Sequence, residues 1–204
     1  MPKLVGPPGS LEGISGSVAA SHAYADNGEY RLTLSVTDDD AATGSDVVTV
    51  TVMNVAPTVN AGEDRATVEG QLVELSGAMF TDPGTGDTHT ATIFWGDTTS
   101  SDGTIVALAG GGFAVQASHV YADNGTYAVI VRVTDDDEDF GEDSLAITVD
   151  NAAPELEAGA DRTVDEGITL LLTGPSFTDA GTRDTHTATV NWGDGTLESL
   201  AVAE

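Results

Sequence analysis

Acidic side chains recur along the chain at spacings that could bind a metal ion. Asp82 and Asp87 bound a short loop of proline, glycine and threonine, and both recur 97 residues later, as Asp179 and Asp184. Carboxylates crowded in this way repel one another unless a cation neutralises them. Ca²⁺ accepts about 6–8 oxygen ligands in irregular geometry, which suits a mixture of Asp and Asn. The pattern therefore predicts Ca²⁺ sites, and the lack of cysteine argues against softer metals.

The candidate ligands are acidic or amide residues that a β-sandwich would bring to one pole. They are Asn54, Asp82, Asp87, Asp135, Asp137, Asp38, Asp40, Asn151, Asp179 and Asp184. Neighbouring side chains in the acidic run 135–139 point in different directions, so only one or two of them are expected to coordinate. Solvated acidic loops, or adaptation to salt, remain the alternative. Asp97, Asp123 and Asn124 belong to the opposite pole, where turn formation is the favoured role.

Catalytic arrangements are not indicated. Ser118, His119 and Asp123 lie close in sequence, but no nucleophile elbow or oxyanion hole accompanies them. The four histidines form two pairs related by the same 97-residue offset, which favours packed, hydrogen-bonded roles. The glycines at 110–112 are followed by no lysine and open no helix, so they predict a hairpin turn and not a phosphate loop. The chain is therefore predicted not to be an enzyme.

An internal repeat of 97 residues runs through the chain. The segment 21–28 recurs at 118–125, and Trp-Gly-Asp at 95–97 recurs at 192–194, with no insertion or deletion. Asn-x-Ala-Pro, at 54–57 and again at 151–154, marks the start of a module. The predicted domains are a C-terminal part-module at 1–54, a complete module at 55–151 and an N-terminal part-module at 152–204.

The two part-modules are complementary, because the leading piece supplies the last strands of a module and the trailing piece supplies the first ones. Each piece alone would expose a sheet edge and an apolar face. The trailing piece of one chain could therefore complete the leading piece of the next and build a filament. The alternative is that the sequence is a window on a longer repeat protein.

Hydrophobic residues alternate with polar ones almost everywhere, which predicts half-buried β-strands and no helix. In the complete module the strands are expected near 58–68, 71–79, 90–95, 104–108, 113–118, 126–134 and 144–149. Seven short strands in one module predict an immunoglobulin-like sandwich. Its expected core contains Trp95, Tyr127, Val131, Leu145 and Ile147, and Trp192 is expected in the core of its own module.

Charge excludes some partners. The chain has 34 acidic and 6 basic residues and a formal net charge of -28. Nucleic acids and anionic membranes are polyanions, so neither is an expected partner. No stretch is apolar enough to span a bilayer, and no signal-peptide core follows Met1. Identical neighbouring modules, joined head to tail, are the expected partners, with surface glycans or proteins as further candidates.

Several motifs carry a resemblance to the polycystic-kidney-disease (PKD) repeat family of bacteria. They are Trp-Gly-Asp at 95–97 and 192–194, His-Val-Tyr at 119–121, Gly-Thr-Tyr at 125–127 and Val-Arg-Val-Thr-Asp at 131–135. The resemblance covers nearly the whole chain apart from roughly the first ten residues. Thr98 is a departure, because the family usually has glycine after Trp-Gly-Asp, and the turn there is expected to be altered.

The resemblance implies a fold and a place of action. The fold is all-β, as tandem immunoglobulin-like (PKD-type) β-sandwiches with about seven strands in each module. The location is extracellular or at the cell surface, where such modules usually serve as spacers, adhesive stalks or accessory domains of secreted enzymes. The alternative is an accessory module of a secreted hydrolase that binds carbohydrate or protein. Few aromatic residues are available for such binding, so the structural role is favoured.

Overall fold

A computed structural model describes residues 15–203, and within that range the chain forms strands and no helix. The all-β prediction is confirmed. The leading piece holds β1 (Gly28–Thr37) and β2 (Thr43–Val52). The central region holds β3 (Thr58–Asn60), β4 (Arg65–Val68), β5 (Leu72–Thr81), β6 (His89–Phe94), β7 (Ser100–Ala107), β8 (Phe113–Val120), β9 (Gly125–Asp135) and β10 (Phe140–Asp150). The trailing piece holds β11 (Glu155–Glu157), β12 (Ser176–Thr178), β13 (Ala188–Asn191) and β14 (Leu197–Leu200).

The central strands form a sandwich whose two layers share β7. Their hydrogen-bonded order is β3-β5-β8-β7-β6-β9-β10-β4. The first half of β7 pairs with β6, and its second half, from Thr104, pairs with β8. Gly103 lies at the crossing, where a β-carbon would stand 2.7 Å from Ile93 Cδ1 and 2.8 Å from Val115 Cγ1. The strand therefore changes layers where only glycine fits against the core.

The single strand predicted at 58–68 is wrong, because the chain divides there into β3 and β4. β3 pairs antiparallel with β5, whereas β4 pairs parallel with β10 in the other layer. Gly62 has a φ of 93°, in the left-handed region that favours glycine, and its amide donates to Asn60 Oδ1 at 2.9 Å. This turn moves the chain from one layer to the other and gives the module eight strands.

The core prediction is confirmed for four of its five residues. Trp95, Val131, Leu145 and Ile147 are buried between the layers. Tyr127 is only partly buried and packs at the edge of the core. The fully buried tyrosine is Tyr121, whose hydroxyl donates to the Trp95 carbonyl at 2.9 Å. Its ring stacks on Tyr127 with centroids 4.2 Å apart, so Tyr127 covers the buried tyrosine.

The flanking pieces form separate small sheets: β1 with β2, β11 with β12, and β13 with β14. The prediction that Trp192 lies in a core is wrong, because its side chain is 38% exposed whereas Trp95 is 1% exposed. In the central sandwich, β6 pairs with β9 beside Trp95. β13, which aligns with β6, pairs only with β14 among the described residues. The trailing piece therefore leaves open the face that a second layer would cover.

Candidate metal centres at the two junctions

The same backbone hydrogen bond joins the central module to both of its neighbours. At the first junction, Gly86 N donates to Ala25 O of the leading piece at 2.8 Å. At the second junction, Arg183 N of the trailing piece donates to Ala122 O at 3.1 Å. Both donor and acceptor are related by the 97-residue repeat. The loop between β5 and β6, or its copy, thus meets the turn before β9, or its copy, in the same way twice.

Three carboxylates converge at the first junction. Asp82, Asp87 and Asp135 each place an oxygen within 4.8 Å of the others. Asp82 and Asp87 come from the loop between β5 and β6, and Asp135 ends β9. The predicted pole is therefore formed, because the sandwich brings these two loops together.

Asp82 and Asp135 are held in place by hydrogen bonds. Asp82 accepts from Gly84 N at 2.8 Å through Oδ1 and contacts His89 Nε2 at 3.0 Å through Oδ2. Asp135 Oδ1 accepts from the amides of Asp137 and Asp139. Its Oδ2 accepts from Asn54 Nδ2 at 2.8 Å. Asn54 thus presents its amide nitrogen to Asp135, and its role is to orient that carboxylate.

Asp87 lacks this kind of support. Both of its carboxylate oxygens are buried, and neither has a hydrogen-bond partner among residues 15–203. Burial raises the pKa of Asp87, and the negative charges of Asp82 and of Asp26 in the leading piece raise it further. A buried carboxylate without a partner is costly, and a bound cation would satisfy it.

The second junction contains a related cluster. Asp179 and Asp184 align with Asp82 and Asp87, and they lie within 4.8 Å of a third carboxylate, Glu69. Hydrogen bonds from His186 and from Gly181 N lower the pKa of Asp179. Burial raises the pKa of Asp184, and the charges of Glu69 and Asp179 raise it further. Each junction therefore contains one carboxylate held by hydrogen bonds, Asp82 or Asp179, and one whose charged form is destabilised by its surroundings, Asp87 or Asp184.

Sequence reasoning missed Glu69. The residue follows β4, is 0% exposed, and comes from the central module whereas Asp179 and Asp184 come from the trailing piece. Its Oε1 accepts from Ala152 N at 2.6 Å, and its Oε2 is buried with no partner among the described residues. A signal was present, because Glu-Gly at 69–70 recurs as Glu-Gly at 166–167.

Besides Asn54, four more of the predicted ligands lie outside both clusters. Asp137 Oδ1 accepts from Asn27 Nδ2 of the leading piece at 3.0 Å, so it joins the modules directly. Asn151 Nδ2 donates to the Ala152 carbonyl at 3.0 Å. Asp38 Oδ1 accepts from the amides of Asp40 and Ala42, which places both Asp38 and Asp40 in the turn between β1 and β2.

These donor sets suit a hard cation that prefers oxygen ligands, such as Ca²⁺. Each cluster offers carboxylate oxygens only, and the chain has no cysteine. The nearest histidines are engaged by the clusters themselves, since His89 contacts Asp82 and His186 contacts Asp179. Asp82, Asp87 and Asp135 would hold the ion at the first junction.

His119 has a structural role, as its pattern predicted. Its Nε2 contacts Asp97 Oδ2 at 2.7 Å, and its ring stacks on Trp95 with centroids 4.8 Å apart. Asp97 Oδ1 also accepts from the amide and hydroxyl of Thr99, which confirms its predicted turn role. The turn is not altered by Thr98, which adopts a φ of 77°.

The sandwich, its shared strand and the buried tyrosine at its corner define the central region as an immunoglobulin-like β-sandwich module. Residues 54–149 match the family model of the PKD domain. Domains of this family are typically extracellular and generally serve structure or binding. A search of curated proteins found no match to the chain. No helical segment with the length and hydropathy of a membrane span occurs between residues 15 and 203.

Proposed function

We propose that the chain is an extracellular, non-catalytic structural repeat in which successive modules abut through Ca²⁺-binding junctions, forming a stalk, adhesin or filament. The observation that carries this proposal is the repeated junction: the hydrogen bonds Gly86 N to Ala25 O and Arg183 N to Ala122 O are related by the repeat. A contact made twice by aligned residues is a property of the module. It supports a defined angle between neighbours and argues against a flexible linker.

Bound Ca²⁺ would stabilise the contact between neighbouring modules. Asp26 of the leading piece raises the pKa of Asp87, after burial and Asp82, so negative charges oppose one another across the first junction. At the second junction, the negative charge of Asp123 likewise raises the pKa of Asp184, after burial, Glu69 and Asp179. A divalent cation would convert this repulsion into attraction and bind only the docked arrangement. Binding to the native state alone stabilises that state, by about 2.7 kcal/mol when the ligand is at 100 times its Kd.

Thermal unfolding with and without calcium tests the proposal. We expect the midpoint of the full chain to rise in Ca²⁺ and to fall back in chelator. Asp87→Asn removes a buried ligand at little change in volume, so it should shrink the calcium-dependent shift. Asp102→Asn is the matched control, because Asp102 is exposed on β7 and belongs to neither cluster. Identical melting curves in calcium and in chelator would contradict the proposal.

Head-to-tail assembly by complementation is the finer form of the proposal, and the open faces of the flanking pieces support it. The trailing piece has a cavity of about 910 Å³, whose lining combines apolar side chains such as Leu156, Phe177 and Val190 with the polar side chains of Asp179, Asp184 and His186. On β1, Leu34 is 47% exposed, although it aligns with the fully buried Val131 of the central core. We propose the leading hairpin of a second copy as the occupant of this cavity.

Light scattering of the same samples separates assembly from calcium binding. Complementation predicts oligomers whose mass grows with protein concentration, and Leu34→Asp should reduce that growth without affecting the central core. A monomer at every concentration would exclude complementation. It would leave calcium-stiffened junctions within one chain intact as a proposal.

A cluster of two exposed phenylalanines and an arginine on one sheet supports a second candidate function. In this function the chain is an accessory module of a secreted hydrolase and binds carbohydrate or protein. Phe94 and Phe140 are 36% and 50% exposed, and the Arg132 guanidinium lies 5.3 Å and 4.4 Å from their ring centroids. Aromatic rings beside an arginine are typical of binding surfaces. Retention of the chain on insoluble polysaccharide or on collagen would favour this candidate.

A further inference from the structure

The turn after β4 sends one carboxylate across the second junction. Glu69 belongs to the central module, yet its side chain is buried against the trailing piece. A β-carbon at Gly181 would lie 2.8 Å from Glu69 Cδ, so glycine leaves the space that the carboxylate occupies. Gly70 has a φ of 74°, and a β-carbon there would stand 2.8 Å from Ala180 Cβ. Glycine on each side of the contact therefore allows the close approach.

Alignment by the repeat shows that the two junctions hold overlapping parts of one ligand set. Both contain the pair represented by Asp82 and Asp87, or by its copies Asp179 and Asp184. The first cluster adds Asp135 to this pair, and the second adds Glu69. A junction between two complete modules would thus combine four carboxylates, three from one module and one from its predecessor.

We propose that Glu69 is a ligand to a Ca²⁺ ion that is shared between modules at the second junction, together with Asp179 and Asp184. This inference rests on the proposed function, because it assumes that the junctions bind calcium. It adds that the preceding module supplies an essential carboxylate to the site. A cation held from both sides would then make the angle between modules depend directly on calcium.

The surroundings of Glu69 support a ligand role over a purely structural one. A structural carboxylate would have both oxygens hydrogen-bonded, since an unpaired buried charge is strongly unfavourable. Glu69 Oε1 is satisfied by Ala152 N, but Oε2 is buried without a partner in the part of the chain that the structure describes, and Asp179 and Asp184 both present oxygens within 4.8 Å. Within this cluster the Glu69 carboxylate faces two further carboxylates, so a cation would supply the partner that its buried oxygen lacks.

Calcium titration by calorimetry on the full chain tests this inference with a matched pair of variants. Glu69→Gln keeps an oxygen to accept from Ala152 N but removes the charge. Glu166→Gln makes the same change at the repeat-related position, which is exposed and belongs to neither cluster. We expect Glu69→Gln to weaken one of two calcium sites by about tenfold or more, because calcium affinity follows the number of charged ligands. Glu166→Gln should leave both sites unchanged.

A second variant and a second measurement cover a loss of folding. Asp184→Asn should weaken the same site as Glu69→Gln, and in chelator Glu69→Gln should melt no lower than the unmodified chain, because it removes a buried charge. Equal calcium affinities for Glu69→Gln and Glu166→Gln, in a chain that does bind calcium, would overturn the inference and leave the proposed function standing. Absence of calcium binding by the unmodified chain would overturn both.

Discussion

The turn after β6 and its copy after β13 have similar sequences but different environments. Trp95 N donates to Thr99 O at 3.0 Å, and Trp192 N donates to Thr196 O at the same distance. Gly96 and Gly193 adopt φ values of 83° and 81°. Yet one tryptophan is 1% exposed and the other 38%. The backbone of the turn is therefore set locally, whereas burial of the tryptophan depends on strands far away in sequence.

The aspartates of the two turns also have the same local hydrogen bond but different contacts with distant residues. Asp97 and Asp194 each accept from the amide two residues later, at 3.0 Å and 2.9 Å. Asp97 also contacts His119 on the adjacent strand β8. Asp194 accepts instead from Thr196, within its own turn. Comparison of the two turns thus separates local from tertiary contributions within one molecule.

Truncation of the tryptophans is expected to have the largest effect. Trp95→Ala should lower the free energy of unfolding of the central module by about 3–5 kcal/mol, the usual cost of emptying a large buried site. Trp192→Ala should cost less than about 1 kcal/mol, because that ring is partly in solvent. Urea denaturation followed by circular dichroism measures both. Comparable losses in a monomeric sample would show that the two environments do not differ as described.

Loss of the aspartate charge is expected to have an intermediate effect that depends on pH. Burial raises the pKa of Asp97, but hydrogen bonds from Thr99 and His119 outweigh it and hold the pKa below its usual value of 3.8. A carboxyl with a lowered folded-state pKa contributes stability above the unfolded value and loses that contribution as pH falls through the folded one. Asp97→Asn should therefore cost about 1–2 kcal/mol at neutral pH, and the difference should shrink below pH 3.8.

Asp194→Asn provides the internal control for that measurement. Hydrogen bonds from the amide and the hydroxyl of Thr196 lower the pKa of this aspartate too. Removal of this charge should leave the unfolding of the central module unchanged at every pH. A pH-independent loss in Asp97→Asn would instead assign the effect to packing of the side chain beside His119.

The sequence was sufficient for features that depend on near neighbours or on the repeat. Alternation predicted the strands, and the topology of the predicted sandwich placed Asp82, Asp87 and Asp135 at one pole. Sequence reasoning failed for features that depend on contacts between residues far apart in the chain. The division of β3 from β4 depends on which layer each half pairs with, and the exposure of Trp192 depends on the lack of a covering strand. Glu69 was missed because its importance comes from the neighbouring module, which local patterns do not describe.

Replacement of Thr98 by glycine is expected to have the smallest effect, and a stabilising one. Thr98 and its copy Gly195 have φ values of 77° and 96°, a region that disfavours residues with a β-carbon. Thr98 is exposed, so little packing is lost on substitution. Part of the gain is offset by the greater entropy of glycine in the unfolded chain, which leaves about 0.5–1 kcal/mol. Thr98→Ala, which keeps the β-carbon, should change the urea midpoint much less, and an equal gain in both variants would show that strain in this turn is not the cause.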